Sequence, residues 1–115
     1  MKLAIIGSRS LSGFDKNIIL RHIPAETTDI VSGGAIGVDA LAEEIAQELG
    51  LNFRKIEPDY EQYGKNAPIE RNKQIISAAV KVLAVWDFRS RGTAYTLAKC
   101  IEMRVPVRIV SPKKP

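Results

Sequence analysis

Residues 29–50 read "DIVSGGAIGVDALAEEIAQELG". A short apolar run ends in Ser32-Gly33-Gly34, a third glycine follows at Gly37, and helix-forming residues start at once. Val38, Leu41, Ala42, Ile45, Ala46 and Leu49 recur at the helical interval, so this part reads as an amphipathic helix. Strand, glycine-rich turn and helix in immediate succession is the repeating unit of a parallel α/β sheet. The glycines permit a close approach to the backbone, and the first N–H groups of a helix lack partners within it. The two together make a site for an anion.

The rest of the chain repeats that unit. "KLAIIG" (2–7), "TDIVSG" (28–33), "NFRKIEP" (52–58), "KVLAVWD" (81–87) and "VPVRIVS" (105–111) are short apolar runs that read as five strands. Between them, apolar residues fall at helical spacing: Phe14, Ile18, Ile19 and His22; the residue 38–49 set; Ile69, Lys73, Ile76 and Ala79, more loosely; and Tyr95, Ala98, Ile101 and Glu102. Pro24 ends the first helix, Gly50 follows the second, and Pro68 stands near the start of the third, where its missing N–H matters least. The strands are continuous apolar runs rather than alternating ones, as a sheet covered by helices on both faces requires. The expected fold is α/β: a doubly wound, mostly parallel five-stranded sheet, Rossmann-like, with right-handed crossovers. Residues 1–111 are expected to form a single domain and 112–115 a frayed tail.

With 115 residues, 45% of them hydrophobic and 26% charged, the chain has ordinary globular composition and enough length to bury a core without disulfides or metal. Seventeen basic residues against 13 acidic ones give a net charge of +4, a lean toward anionic partners such as phosphates or nucleic acid. The single cysteine, Cys100, excludes a disulfide framework and a cysteine-based metal site, so no metal is expected and the setting is reducing. The apolar run after Lys2 is too short for a signal peptide or a membrane span, and a cytoplasmic protein with no membrane partner is expected.

In an open parallel sheet, ligands bind beyond the carboxyl ends of the strands. Four loops fall there: "GSRS" (7–10), "SGGAIGVD" (32–39), "YEQYGKNAPIERN" (60–72) and "DFRSRGT" (87–93). Ser8, Ser10 and Ser32 offer hydroxyl donors, and Arg9 a planar fork suited to phosphate oxygens. Ser90-Arg91-Gly92-Thr93 opens a third helix on the same edge. Asp39 stands in the first turn of its helix, where it either complements the helix dipole or meets a ribose hydroxyl. Glu70, Arg71 and Asn72 open another helix, with Arg71 able to reach a phosphate and Asn72 a base edge or a neighbouring loop. Asp87 is either a ligand contact or a loop cap, and Trp86 a packing residue. Tyr60 and Tyr63, placed on a loop, are candidates for base stacking. Neither the G-x-G-x-x-G of a dinucleotide fold nor a P-loop is present, which disfavours an ordinary NAD dehydrogenase or ATPase.

As a set, "GSRS", "VSGGAIGVDALAEEIA", "ERNKQII" and "SRGTAYTLA" resemble the SLOG superfamily of Rossmann-like domains, which includes DprA/Smf and the LOG phosphoribohydrolases. The likeness is greatest to its small YpsA-like bacterial and phage members. It spans residues 1 to about 111. It implies a pocket for nucleotides, nucleotide-derived ligands or single-stranded nucleic acid, and it implies a homo-oligomer, often a dimer. Carried over, Gly7, Ser8, Arg9, Ser32, Gly33, Gly34 and Gly37 line a phosphate pocket that Arg71, Asn72, Gly92 and Thr93 complete. LOG enzymes end their G-G-x-G-T-x-x-E signature in a glutamate that assists cleavage of the N-glycosidic bond; Thr96 stands at that position here.

The expectation is therefore a domain that binds a nucleotide or an ADP-ribose-type ligand by its phosphates, with no certain cofactor. The alternatives are an N-glycosidic hydrolase, with Asp39, Glu70 or Asp87 supplying its carboxylate, and a DprA-like binder of single-stranded nucleic acid.

Overall fold

The computed structural model describes residues 1–7, 16–33 and 38–111, and of Asp39 only the backbone. Five strands, β1 (Lys2–Gly7), β2 (Asp29–Ser32), β3 (Asn52–Lys55), β4 (Lys81–Val85) and β5 (Val107–Val110), form one sheet in the order β3-β2-β1-β4-β5. Every neighbouring pair is parallel. Helices α1 (Lys16–Leu20), α2 (Val38–Leu49), α3 (Tyr60–Tyr63), α4 (Ala67–Ser77) and α5 (Arg91–Glu102) lie in the connections, with a 3-10 turn at Gly64–Asn66 leading into α4. This is the Rossmann-like α/β fold that the alternation of elements predicts.

The apolar runs of β1 and β4 reflect burial on both sides. Leu3, Ile5, Leu83 and Val85 face one way and pack with Ile30, Ile19 of α1, and Val38, Ala42, Ile45 and Ala46 of α2. Ala4, Ile6, Val82 and Ala84 face the other way, against Ile75 and Ile76 of α4 and Leu97 and Cys100 of α5. The helix signals act where expected. Gly50 closes α2 with φ 68°, in the left-handed region, and the Leu51 N–H bonds back to Ala46 O at 2.8 Å. Pro68 sits in the first turn of α4.

The edge strands are shorter than their apolar runs. β3 ends at Lys55, opposite Ser32, the last residue of β2, because an edge strand has a partner on one side only and ends where that partner ends. One further bond, Ile56 N–H to Ser32 O, continues the line.

Two helix faces differ from the spacing-based reading. On α5, Tyr95 is exposed and Ile101 is 74% exposed, whereas Thr93, Thr96, Leu97 and Cys100 are buried. Apolar residues occupy both sides of this helix; the inward side packs Leu97 and Cys100 into the core, and Thr96 has a hydrogen-bond partner there in Asn72. On α4 the buried residues are Ala67, Ile75 and Ile76, which turns the neighbouring Arg71 and Asn72 inward and leaves Lys73 on the flank.

Among the described residues, no helix is long and apolar enough to cross a membrane. Cys100 is fully buried, and that burial pushes its thiol above the ordinary range. The thiolate is the reactive form. A disulfide-exchange reagent at mildly alkaline pH is therefore expected to leave the native protein unlabelled and to titrate one thiol per chain in denaturant; fast labelling of the native protein would contradict this packing.

Candidate functional site

The connections from β1 and β4 leave the sheet in opposite directions: β1 leads towards β2 and β3, and β4 leads through α5 to β5. Adjacent strands whose connections diverge leave a crevice at their carboxyl ends. Here that crevice lies beyond the paired residues Gly7 and Val85.

At the end of β1, an added Cβ on Gly7 would come within 2.6 Å of Val38 Cγ2 and 2.7 Å of Val38 Cβ. The absence of a side chain at Gly7 is what lets α2 begin against the sheet. At the end of β2, Ser32 is fully buried, and its hydroxyl donates to Ile5 O at 2.8 Å. The expected donor to a phosphate instead stitches β2 to β1. Gly33 is buried, and its carbonyl accepts from Arg71 Nη1 at 3.3 Å. Ser8, Arg9, Ser10, Gly34, Gly37 and the Asp39 side chain lie outside the described residues.

Arg71 and Asn72 join this end of β2 to α5. Arg71 Nε donates to Asn72 Oδ1 at 2.9 Å, Asn72 Nδ2 donates to Thr96 Oγ1 at 3.1 Å, and Thr96 Oγ1 donates to Gly92 O at 3.0 Å. With the Arg71–Gly33 bond, four hydrogen bonds run from the carboxyl end of β2 across α4 to the first turn of α5. Both ends of the Asn72 amide are engaged within the protein, so this side chain positions Arg71. Thr96 is 3% exposed. Its hydroxyl both donates and accepts within this chain of bonds.

At the end of β4 the chain turns sharply before α5. Asp87 Oδ1 accepts from the N–H groups of Arg89 and Ser90, both at 2.8 Å, which makes it the cap of this turn. Ser90 is the N-cap of α5: its side chain accepts from Thr93 N–H at 3.3 Å and from Thr93 Oγ1 at 3.2 Å. Gly92 differs from Gly7, since a Cβ there would meet nothing within 4 Å. The edge also carries the exposed Arg89 and Arg91. Glu70, in the first turn of α4, pairs with Lys73 at 3.1 Å. Among the described residues, no group of three His, Cys, Asp or Glu side chains is placed to hold a metal ion.

Tyr60 and Tyr63 lie on the short helix α3 rather than on a loop. Tyr63 lines a cleft of about 440 Å³ with Arg54, Ile56, Glu70 and Lys73. That cleft runs beside β3, two strands from the crevice. An aromatic residue just beyond the end of β4, Phe88, is not among the expected site residues. It is 60% exposed, with φ 64° and its ring centroid 4.6 Å from that of Trp86. The signal for it in the sequence is an aromatic pair, Trp86 and Phe88, at the end of a strand that opens onto the ligand edge.

The fold is shared with DNA processing protein A. The protein of that name from Helicobacter pylori matches with a TM-score of 0.74 at 23% identity, over 95% of this chain and 64% of that one. DprA from Streptococcus pneumoniae matches with a TM-score of 0.77 at 21% identity, over 94% of this chain and 49% of that one. This chain thus spans less than two thirds of either DprA, and at these identities the likeness is one of fold. The Helicobacter DprA binds single-stranded DNA. No protein-family model matches the chain, and no curated protein matches it by sequence.

Proposed function

We propose that the chain binds single-stranded nucleic acid across the carboxyl edge of its sheet, holding phosphates between Arg71 and the first turn of α5. The observation that carries this reading is the line of hydrogen bonds from Gly33 through Arg71, Asn72 and Thr96 to Gly92. It fixes a guanidinium at a strand end and couples it to a helix whose opening N–H groups suit an anion. Arg89 and Arg91 add positive charge on the same side. Of the nearby carboxylates, Glu70 is balanced by Lys73, and Asp87 keeps its charge while capping the turn, one negative charge against the three arginines. The single-stranded DNA bound by a protein of the same fold favours a strand over a free nucleotide as the occupant. A mononucleotide phosphate would use the same donors and serves as the competitor.

Backbone binding releases counterions, so affinity falls with salt by about 0.7 log units per log unit for each phosphate neutralised on a single strand. With Arg71, Arg89 and Arg91 each meeting a phosphate, the expected slope is about −2 for a labelled oligothymidylate. An excess of nucleoside monophosphate should displace the strand only weakly. Equal displacement by the monophosphate at matched phosphate concentration would favour a nucleotide pocket, and a flat salt response would overturn backbone binding.

A further inference from the structure

We infer that Phe88 is a stacking platform for one nucleobase of a bound single strand, an assignment that rests on the single-strand reading above. Its ring is 60% exposed and lies against Trp86, centroids 4.6 Å apart at 36°. Trp86 is partly buried against the core beneath α4 and α5, and its indole N–H donates to Ser90 O at 3.0 Å. The platform therefore has a fixed back. Phe88 also adopts φ 64°, a backbone region that a bulky side chain avoids. The two Asp87 bonds to the N–H groups of Arg89 and Ser90 hold the turn in that shape.

A glycine or an asparagine would meet the demands of such a turn better, and the ring stays largely exposed, with Trp86 against it. What the phenylalanine supplies is a flat apolar face at the end of β4, at the crevice where a parallel sheet takes its ligands. It is followed immediately by Arg89 and by the opening turn of α5. Base on ring and phosphate on guanidinium or helix N–H is the arrangement by which proteins hold single strands without reading their sequence, because every base has a π-face. The exposed ring is a patch of one side chain, with Arg89 next in the chain. That is far smaller than a protein partner would bury, which is about 800 Å² per side, and it fits a single base.

Trp86 is the one tryptophan of the chain, so its emission reports on the stack directly. The test uses the whole chain with an oligothymidylate, comparing wild type with Phe88→Ala, Phe88→Gly and Phe88→Tyr. Saturation with the oligonucleotide is expected to quench Trp86 in the wild type. Phe88→Ala and Phe88→Gly should raise Kd roughly five- to hundredfold, the range found when a stacking aromatic is removed. Phe88→Tyr, which keeps the ring, should stay near the wild-type Kd. Phe88→Gly relieves the left-handed backbone and should hold its melting temperature while losing affinity, which a structural role for the ring would not produce. Wild-type affinity in both ring-deleted variants, or Trp86 emission unchanged at saturation, would overturn the stacking assignment and leave the single-strand reading standing. Absence of binding by the wild type would overturn the reading beneath it.

Discussion

Gly7→Ala is expected to destabilise the protein by about 1–3 kcal/mol, the usual cost of forcing an extra carbon into a packed core. The added Cβ would lie 2.6–2.8 Å from three side-chain atoms of Val38, which is itself fully buried. Real Cβ atoms are essentially never that close to another heavy atom, so one element must shift. Val38 is the first residue of α2 and packs with Leu3, Ile5 and Ile30. Moving it tilts α2, which packs with α1 on that face of the sheet. In urea the midpoint should fall by about 1 M with the slope unchanged, since the area exposed on unfolding is much the same. In a Val38→Gly background the same substitution should be nearly neutral, because the atoms it strikes are gone; that double-mutant cycle isolates the contact. A Gly7→Ala protein as stable as wild type would mean that α2 does not sit against the end of β1 as described.

Arg71→Ala is expected to raise the Kd for a single strand roughly ten- to hundredfold, from the loss of about 1.5–3 kcal/mol of charge-assisted hydrogen bonding. It should also reduce the magnitude of the salt slope by about 0.7, one phosphate contact. The fold should survive with a lowered melting temperature, since the side chain is half-buried and the bonds it loses within the protein include those to Gly33 O and Asn72 Oδ1. Arg71→Lys separates charge from geometry. A lysine keeps the cation but not the planar fork that reaches Gly33 and Asn72 together, so the salt slope should persist while affinity falls part of the way. Anisotropy titrations at several salt concentrations, with melting curves as the control for folding, check all three quantities. An unchanged slope in Arg71→Ala would remove Arg71 from the phosphate contacts.

The α/β architecture was readable in the sequence because β1 and β4 are buried on both faces, and such strands must be continuous apolar runs. The ends of the edge strands were not readable in this way, since β3 stops where β2 stops. The orientation of α5 was hidden for a different reason. Tyr95, Ala98 and Ile101 make a more apolar stripe than Thr93, Thr96, Leu97 and Cys100. On the threonine side Leu97 and Cys100 pack into the core, and a tertiary bond from Asn72 on another helix satisfies Thr96 there. At the edge, Arg71 and Asn72 stood out through the resemblance and the helix start, Asp87 as either a ligand contact or a loop cap, and Ser90 only as part of the segment that opens α5; that its side chain caps the helix comes from the structure. Ser32 did not reveal that its hydroxyl belongs to Ile5 O, because that depends on the register of β1 against β2. Phe88 was hidden because an aromatic residue beside a strand end ordinarily packs inward, and its positive φ is invisible in a residue type that seldom adopts it.

A single strand lying across the carboxyl edge of this sheet would shift the amide resonances of that edge in an isotope-labelled protein on addition of oligothymidylate. The largest changes are expected on Gly33, Arg71, Asn72, the segment from Trp86 to Thr93, and the Trp86 indole N–H. Largest changes at the opposite ends of the strands, around Thr28, Leu51, Val80 and Val105, or no changes at saturating oligonucleotide, would contradict that placement of the strand.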